Sequence, residues 1–313
     1  MQSATREKIV NVMDTLLQRY LQGKAQAVRL CFVALLSGGH VLLEDIPGLG
    51  KTTLALVLAN SMGLSFGRIQ CTSDLLPSDI TGLSIFDREL NSFKFIRGPV
   101  FSNILLVDEI NRAMPKTQSA LLEAMEELRV TVEGTTYPLP EPFLVIATQN
   151  PVEQVGTYPL PESQLDRFII RTGIGYPPEE IEKSIIRYGS LRGEIRTIPA
   201  LLTQEDVLAA QGEIREHIHL ADSIVGYVFA IISATRSHPL VLSGISTRGG
   251  INLADAAKSV AYLEGRDYVI PEDVKEIAVA VGSHRLITTE ESQSMDKEEL
   301  LRSIVKKIPV PLH

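Results

Sequence analysis

Apolar positions along the chain fall into two regimes. Between residues 40 and 172, short continuous apolar runs alternate with stretches of helical spacing. The runs are Val41–Leu43, Ile104–Val107 and Phe143–Ala147. None shows the in–out alternation of a half-exposed strand, which is what strands buried on both faces should look like. Between them Leu54, Ala55, Val57, Leu58 and Met62 share a helical face. So do Leu121, Leu122, Met125 and Leu128, behind a Pro115 that suits a first helical turn. Strand and helix in alternation predict an α/β fold, a parallel sheet with helices on both faces. After Tyr176-Pro177-Pro178 helical patterns take over, at 181–188, 204–218, 222–235, 250–263 and 271–280. Thr203 and Asp222 stand as N-caps and Pro271 in a first turn. The expected organisation is a core over 1–178, opening with an amphipathic helix at 9–21 and a second helical run, then an all-helical domain over 179–313.

Composition narrows the partners. The 313 residues are 44% hydrophobic and 22% charged, enough apolar material for a substantial core. A net charge of −8 is a poor footprint for neutralising nucleic-acid phosphates, so no nucleic-acid partner is expected. The apolar run 30–36 falls far short of the roughly 20 residues of a membrane span. Residues 1–8 are polar and carry no apolar signal core, which gives a cytoplasmic expectation. Cys31 and Cys71 lie far apart without a CxxC pattern, so neither a disulfide framework nor a zinc site is expected.

The candidate chemistry begins at His40-Val-Leu-Leu-Glu-Asp-Ile-Pro-Gly-Leu-Gly-Lys51-Thr52-Thr53. An apolar strand runs into a glycine-bearing turn, then Gly-Lys-Thr, then a helix, which is the context a phosphate loop needs. Small residues let backbone N–H groups converge on an anion, and the helix N-terminus adds partial positive charge. Pro47, Gly48, Leu49, Gly50, Lys51, Thr52 and Thr53 would form the cradle. Lys51 would reach the β- and γ-phosphates of ATP, and the Thr52 hydroxyl would ligate Mg²⁺. Asp45 stands where the usual pattern has its first glycine.

Asp108-Glu109 closes the Ile104–Val107 strand. Adjacent carboxylates there are costly to bury without a partner or solvent. Asp108 suits Mg²⁺ coordination, directly or through water, and Glu109 suits the base that polarises an attacking water. Asn150, after the third strand, could hold that water with a neutral amide. An Asn before a Pro is also an ordinary turn former.

Together these residues form a recognisable set. The stretch Asp108-Glu-Ile-Asn-Arg-Ala-Met-Pro-Lys-Thr-Gln-Ser-Ala-Leu-Leu-Glu-Ala-Met-Glu-Glu127 closely resembles the signature of MoxR-type AAA+ ATPases. So do Ala147-Thr-Gln-Asn-Pro151, Gly156-Thr-Tyr-Pro-Leu-Pro-Glu162, Gln164-Leu-Asp-Arg-Phe168 and Gly38-Gly-His-Val-Leu-Leu-Glu44. The resemblance spans about residues 21–286. It implies an αβα P-loop core with a helical lid, assembled as a homo-oligomeric ring, usually a hexamer, with ATP at the seam between subunits. Arg167 then resembles the arginine finger offered to the neighbour, worth about 10³–10⁵ in rate. Arg248, in Gly-Ile-Ser-Thr-Arg248, resembles the lid arginine that senses the γ-phosphate in its own subunit. Residues 75–99 match a helix-2 insertion and 130–142 a hairpin before the Asn150 strand. Many relatives carry Glu where this chain has Val155. The family also implies chaperone-like remodelling, maturation or metal-cofactor insertion, often with a von Willebrand A-domain partner.

Weaker features are assigned to packing or solvated surface. His217 and His219 are read on different sides of one helix, and Glu123, Glu126 and Glu127 as a solvated face. Met114 and Met125 are read as packing, and His284-Arg285 as a helix C-terminus that welcomes positive charge. Lys306-Lys307 begins the end of the fold. The rival functions are a nucleotide-gated scaffold with little turnover, a nucleic-acid motor and a small-molecule kinase.

Overall fold

The computed structural model describes residues 3–89, 91–152, 155–189, 195, 198–292 and 295–311. Two helices open the chain, α1 (Ala4–Arg19) and α2 (Ala25–Leu36). The sheet is then built from β1 (Val41–Glu44), β2 (Phe66–Gln70), β5 (Ile104–Asp108), β8 (Leu144–Gln149) and β9 (Ile170–Thr172). Its order is β2-β5-β8-β1-β9 and every pairing is parallel. Helix α3 (Lys51–Ser61) follows β1, and α5 (Pro115–Glu127) follows β5.

Side-chain alternation on the strands makes the layers. Val41, Leu43, Ile104, Leu106, Leu144 and Ile146 point into one buried cluster with α2 and α3. Leu42, Leu105, Val107, Val145 and Ala147 point into another, shared with Leu121, Leu122 and Met125 of α5. Central strands β5 and β8 are therefore apolar on both faces, and their continuous runs were legible as such. Edge strand β2 alternates buried and exposed residues and carries Arg68, so no continuous run announces it.

Two short hairpins interrupt the α/β alternation. Helix α4 (Pro77–Thr81) leads into the first, β3 (Gly82–Asp87) with β4 (Ser92–Arg97), inside the expected insertion at 75–99. The second, β6 (Arg129–Val132) with β7 (Thr135–Pro138), follows α5 directly. Phe95 of the first stacks on Tyr137 of the second, with ring centroids 4.3 Å apart. The sheet closes through the short helix α6 (Glu162–Leu165) and β9.

Beyond β9 the chain is mostly helical: α7 (Glu179–Tyr188), α8 (Gln204–His217), α9 (Asp222–Arg236), α10 (Thr247–Leu263), α11 (Pro271–Gly282) and α12 (Lys297–Lys307). A small antiparallel ribbon, β10 (Val241–Ser243) with β11 (Ile287–Thr288), interrupts the expected all-helical character. Thr203 caps α8 as expected: its hydroxyl accepts from Asp206 N at 3.2 Å while the Asp206 carboxylate accepts from Thr203 N at 3.0 Å. Asp222 is instead the first helical residue of α9, with Ala221 at the cap. The N-terminal helices do not belong to the sheet alone. Helix α1 packs on α8 and α10, and Ser3, Arg6 and Lys8 reach Glu213, Asp267 and Asp206.

Candidate nucleotide site

The carboxyl ends of the strands line up by register. Gln70 pairs with Asp108, and Glu44 with Gln149. Loops leaving that edge therefore share a single cleft of about 900 Å³. Pro47, Gly48, Leu49, Gly50, Lys51, Thr52, Thr53, Asp108, Glu109 and Asn150 all line it. Ten of the twelve residues singled out from the sequence are thus brought together at an open sheet's carboxyl edge, where α/β folds place their ligands.

The loop has the backbone an anion needs. Gly48 and Gly50 have φ of 90° and 92°, a left-handed conformation that suits glycine, and α3 begins immediately at Lys51. Lys51 donates through Nζ to the carbonyl of Asp45. Burial lowers the pKa of this ammonium, while the carboxylates of Asp45, Asp108 and Glu109 pull it upward. A cation so placed, beside free helix N–H groups, is poised for phosphate oxygens. The Asp45 side chain turns away from the loop and accepts from the backbone N–H groups of Ile174 and Gly175, the latter at 3.2 Å. The missing glycine is therefore a tether between the phosphate loop and the chain leaving β9.

Asp108 is buried and already charge-balanced. Its carboxylate receives Arg68 Nε at 2.8 Å and lies 3.5 Å from the Thr148 hydroxyl. Glu109 sits in the left-handed region, φ 57° and ψ 53°, with its N–H donated to Thr148 Oγ1 at 2.9 Å. A non-glycine residue held there by its surroundings carries strain of about 1–3 kcal/mol, a cost that clusters at functional sites. Its carboxylate receives Arg112 Nη1 at 3.0 Å and Gln70 Nε2 at 3.3 Å. Asn150 lines the cleft, and its Oδ1 accepts from Val152 N at 3.1 Å, so its side-chain carbonyl forms the turn. The Thr52 hydroxyl and the Asp108 carboxylate are hard oxygen donors, a set that suits Mg²⁺ sharing its remaining positions with phosphate and water.

Arg68, Gln70 and Thr148 were not singled out from the sequence. Arg68 and Gln70 were hidden because strand β2 was not foreseen. Thr148 precedes the two polar residues that drew attention and reads as strand.

Arg167 and Arg248 lie elsewhere. They meet on opposite oxygens of Glu126 in a separate recess that also contains His40 and Asp255. His40 immediately precedes β1 and the phosphate loop follows it, so the pair lies roughly 15 Å away, at the other end of that strand. Arg248 therefore does not line its own chain's cleft in this structure. Glu126, expected on a solvated face, is the counter-ion of both arginines. Other minor expectations change as well. Met114 is exposed rather than packed, although Met125 is buried. His219 lies beyond α8, bridged to Tyr268. Val155 is 91% exposed, and its neighbours Glu153 and Gln154 lie outside the described residues.

Comparisons with known proteins agree with this arrangement. Residues 40–170 match the ATPase family associated with various cellular activities (AAA), and residues 233–304 match the AAA lid domain. YeaC of Bacillus subtilis is 46% identical over 95% of this chain and 93% of its own. Chaperone MoxR1 of Mycobacterium tuberculosis is 41% identical over 94% of this chain and 80% of its own. A solved structure from Cytophaga hutchinsonii superposes with a TM-score of 0.91 at 40% identity, covering 98% of this chain and 96% of the other. With the phosphate loop, the Asp108-Glu109 pair and the helical lid in place, the chain belongs to the MoxR-type AAA+ ATPases.

Proposed function

We propose that the protein is a Mg²⁺-dependent ATP-hydrolysing motor whose site is completed by a second copy of itself, and that it remodels or matures protein partners. The observation that carries this is the division of the chemistry. Every group needed to hold a nucleotide and polarise water lies in one cleft, while both arginines lie at the far end of the sheet. Arg167 lies outside its own chain's cleft, which supports its being offered to the cleft of a neighbouring subunit.

In this reading Lys51 and the loop amides bind and orient the phosphates, and Thr52 and Asp108 hold Mg²⁺, which neutralises phosphate charge. Glu109 takes the proton of an attacking water that Asn150 aligns, and the guanidinium of Arg167 balances charge at the γ-phosphate. Glu109 speaks against a silent scaffold, because it places a base where turnover needs one. The family resemblance supports a hexamer and a protein client, with a von Willebrand A-domain protein the first to try.

The test is ATPase rate per subunit against protein concentration at saturating Mg-ATP. A steep rise to a plateau, together with poisoning of the wild type by added Arg167→Ala subunits, is the expected result. A rate independent of concentration in a protein whose solution mass is that of a monomer would sink the reading.

A further inference from the structure

Arg285 follows α11 and, as expected, sits at that helix's C-terminal end, where Nη1 donates to the carbonyl of Val281 in the last turn. Its side chain is only 2% exposed, and it also grips the backbone that carries Arg167. Nε meets Asp166 Oδ1 at 2.6 Å, Nη2 donates to the carbonyls of Asp166 at 3.1 Å and Phe168 at 2.8 Å, and Nη1 lies 3.4 Å from that of Ile169. A guanidinium has five N–H donors in a rigid fork, and here most are spent on three residues that flank Arg167, namely Asp166, Phe168 and Ile169. Arg167, in the middle of that segment, sends its own side chain the other way, to Glu126 and to the carbonyl of Leu122 at 2.9 Å.

The surroundings are shaped for this contact. A Cβ on Gly249 would come within 2.6 Å of Ile245 Cγ2 and 2.8 Å of Arg285 Cδ, so glycine lets α10 pass close to both. The other Asp166 oxygen accepts from Ser246 Oγ at 3.3 Å, and Ser246 caps α10 just ahead of Arg248. A buried charge is a weak stabiliser, and an apolar side chain of similar volume fills such a space at no greater cost. What the guanidinium adds is geometry.

We propose that Arg285 is the positioning residue of the arginine finger: by clamping residues 166–169 to the lid, it makes Arg167 move with the lid of its own subunit. The state of one lid is thereby delivered to the neighbouring cleft. This rests on the reading that Arg167 acts on a neighbouring subunit, and the experiment separates the two.

Lys51→Ala subunits lose their own cleft but keep their arginines. Arg285→Gln subunits keep their cleft but release the finger. Each alone should turn over at least about 10-fold more slowly than wild type, with fluorescent-ATP affinity intact in Arg285→Gln; an equimolar mixture should recover turnover, because intact clefts then meet intact fingers. The parallel mixture of Arg167→Ala with Lys51→Ala tests the underlying reading. If that control recovers while Arg285→Gln matches wild type alone, or fails to recover when mixed, the positioning role is wrong and the shared site stands. If neither mixture recovers, the shared site fails and the proposal falls with it. Asp166→Asn, which weakens the clamp without emptying the buried space, replaces Arg285→Gln should that variant fail to fold, with the same outcomes required.

Discussion

Arg68 of β2 and Asp108 of β5 form an ion pair of 2.8 Å at the place where the site would hold a divalent cation. The arginine is half exposed, so the pair is worth no more than about 1 kcal/mol. It nevertheless competes with any cation for the same oxygens. Arg68→Met should lower the Mg²⁺ concentration needed for half-maximal turnover by up to about 5-fold, the equivalent of that energy. Magnesium titration of the ATPase rate checks this, and an increase would mean that Arg68 helps to hold the phosphates.

Glu109→Gln removes a base and keeps the shape. Turnover should fall about 10²–10⁴-fold while nucleotide binding persists. Stopped assays of phosphate release beside fluorescent-nucleotide titration distinguish the two quantities. Unchanged turnover would take the base role from Glu109.

Asp45 predicts a stability effect that the usual glycine would not produce. Hydrogen bonds to a charged acceptor contribute about 1.5–3 kcal/mol each when buried, and this carboxylate accepts from Ile174 and Gly175 in a partly open place. Asp45→Ala should cost about 1–3 kcal/mol in total and lower the melting temperature by several degrees in the absence of nucleotide. Asp45→Asn, which retains an acceptor, should lose less.

Burial pushes the His40 imidazole down to about 4, and His284 is also held well below its ordinary value, by burial and then by the Arg285 charge. In both cases the unfolded chain binds the proton more readily than the folded one. Stability is fully present above about pH 6.5 and is lost as pH falls from there toward 4. For His40 the loss approaches about 3 kcal/mol at the acid end. Urea denaturation across this range should show the slope, and His40→Gln should flatten it while lowering stability at neutral pH.

Both cysteines are buried, with thiols pushed up to about 12, chiefly by burial. Cys31 and Cys71 should resist a thiol reagent in the native protein and react fully in guanidinium. Rapid native labelling would show that either region opens.

What the sequence disclosed and what it hid follow from reach along the chain. The phosphate loop, Asp108-Glu109 and the central strands are local in sequence: a few adjacent residues determine both the turn and the chemistry. Arg68 could not be read that way, because its meaning depends on β2 lying beside β5. Glu126, an acidic residue on a helix, looks solvated until two arginines from distant segments arrive at it. Arg285 was legible as a cation at a helix end but not as a clamp, since its other partners, Asp166, Phe168 and Ile169, lie more than a hundred positions upstream. Asp45, visible only as a departure, acquires a purpose once β9 is seen to leave the sheet beside β1.

The stack of Phe95 on Tyr137 gives the two hairpins a common fulcrum. One arm is the β3–β4 ribbon, whose Phe86 and Phe93 are exposed. The other is β6–β7, from which the chain passes within a few residues into β8 and so to Asn150. An aromatic contact of this kind adds about 0.5–1.5 kcal/mol beyond simple burial. That is a few times thermal energy at most, so the contact holds the hairpins together without making them one rigid body. The outer ribbon is thus joined, through one ring stack and the second hairpin, to the strand that leads to Asn150 in the cleft.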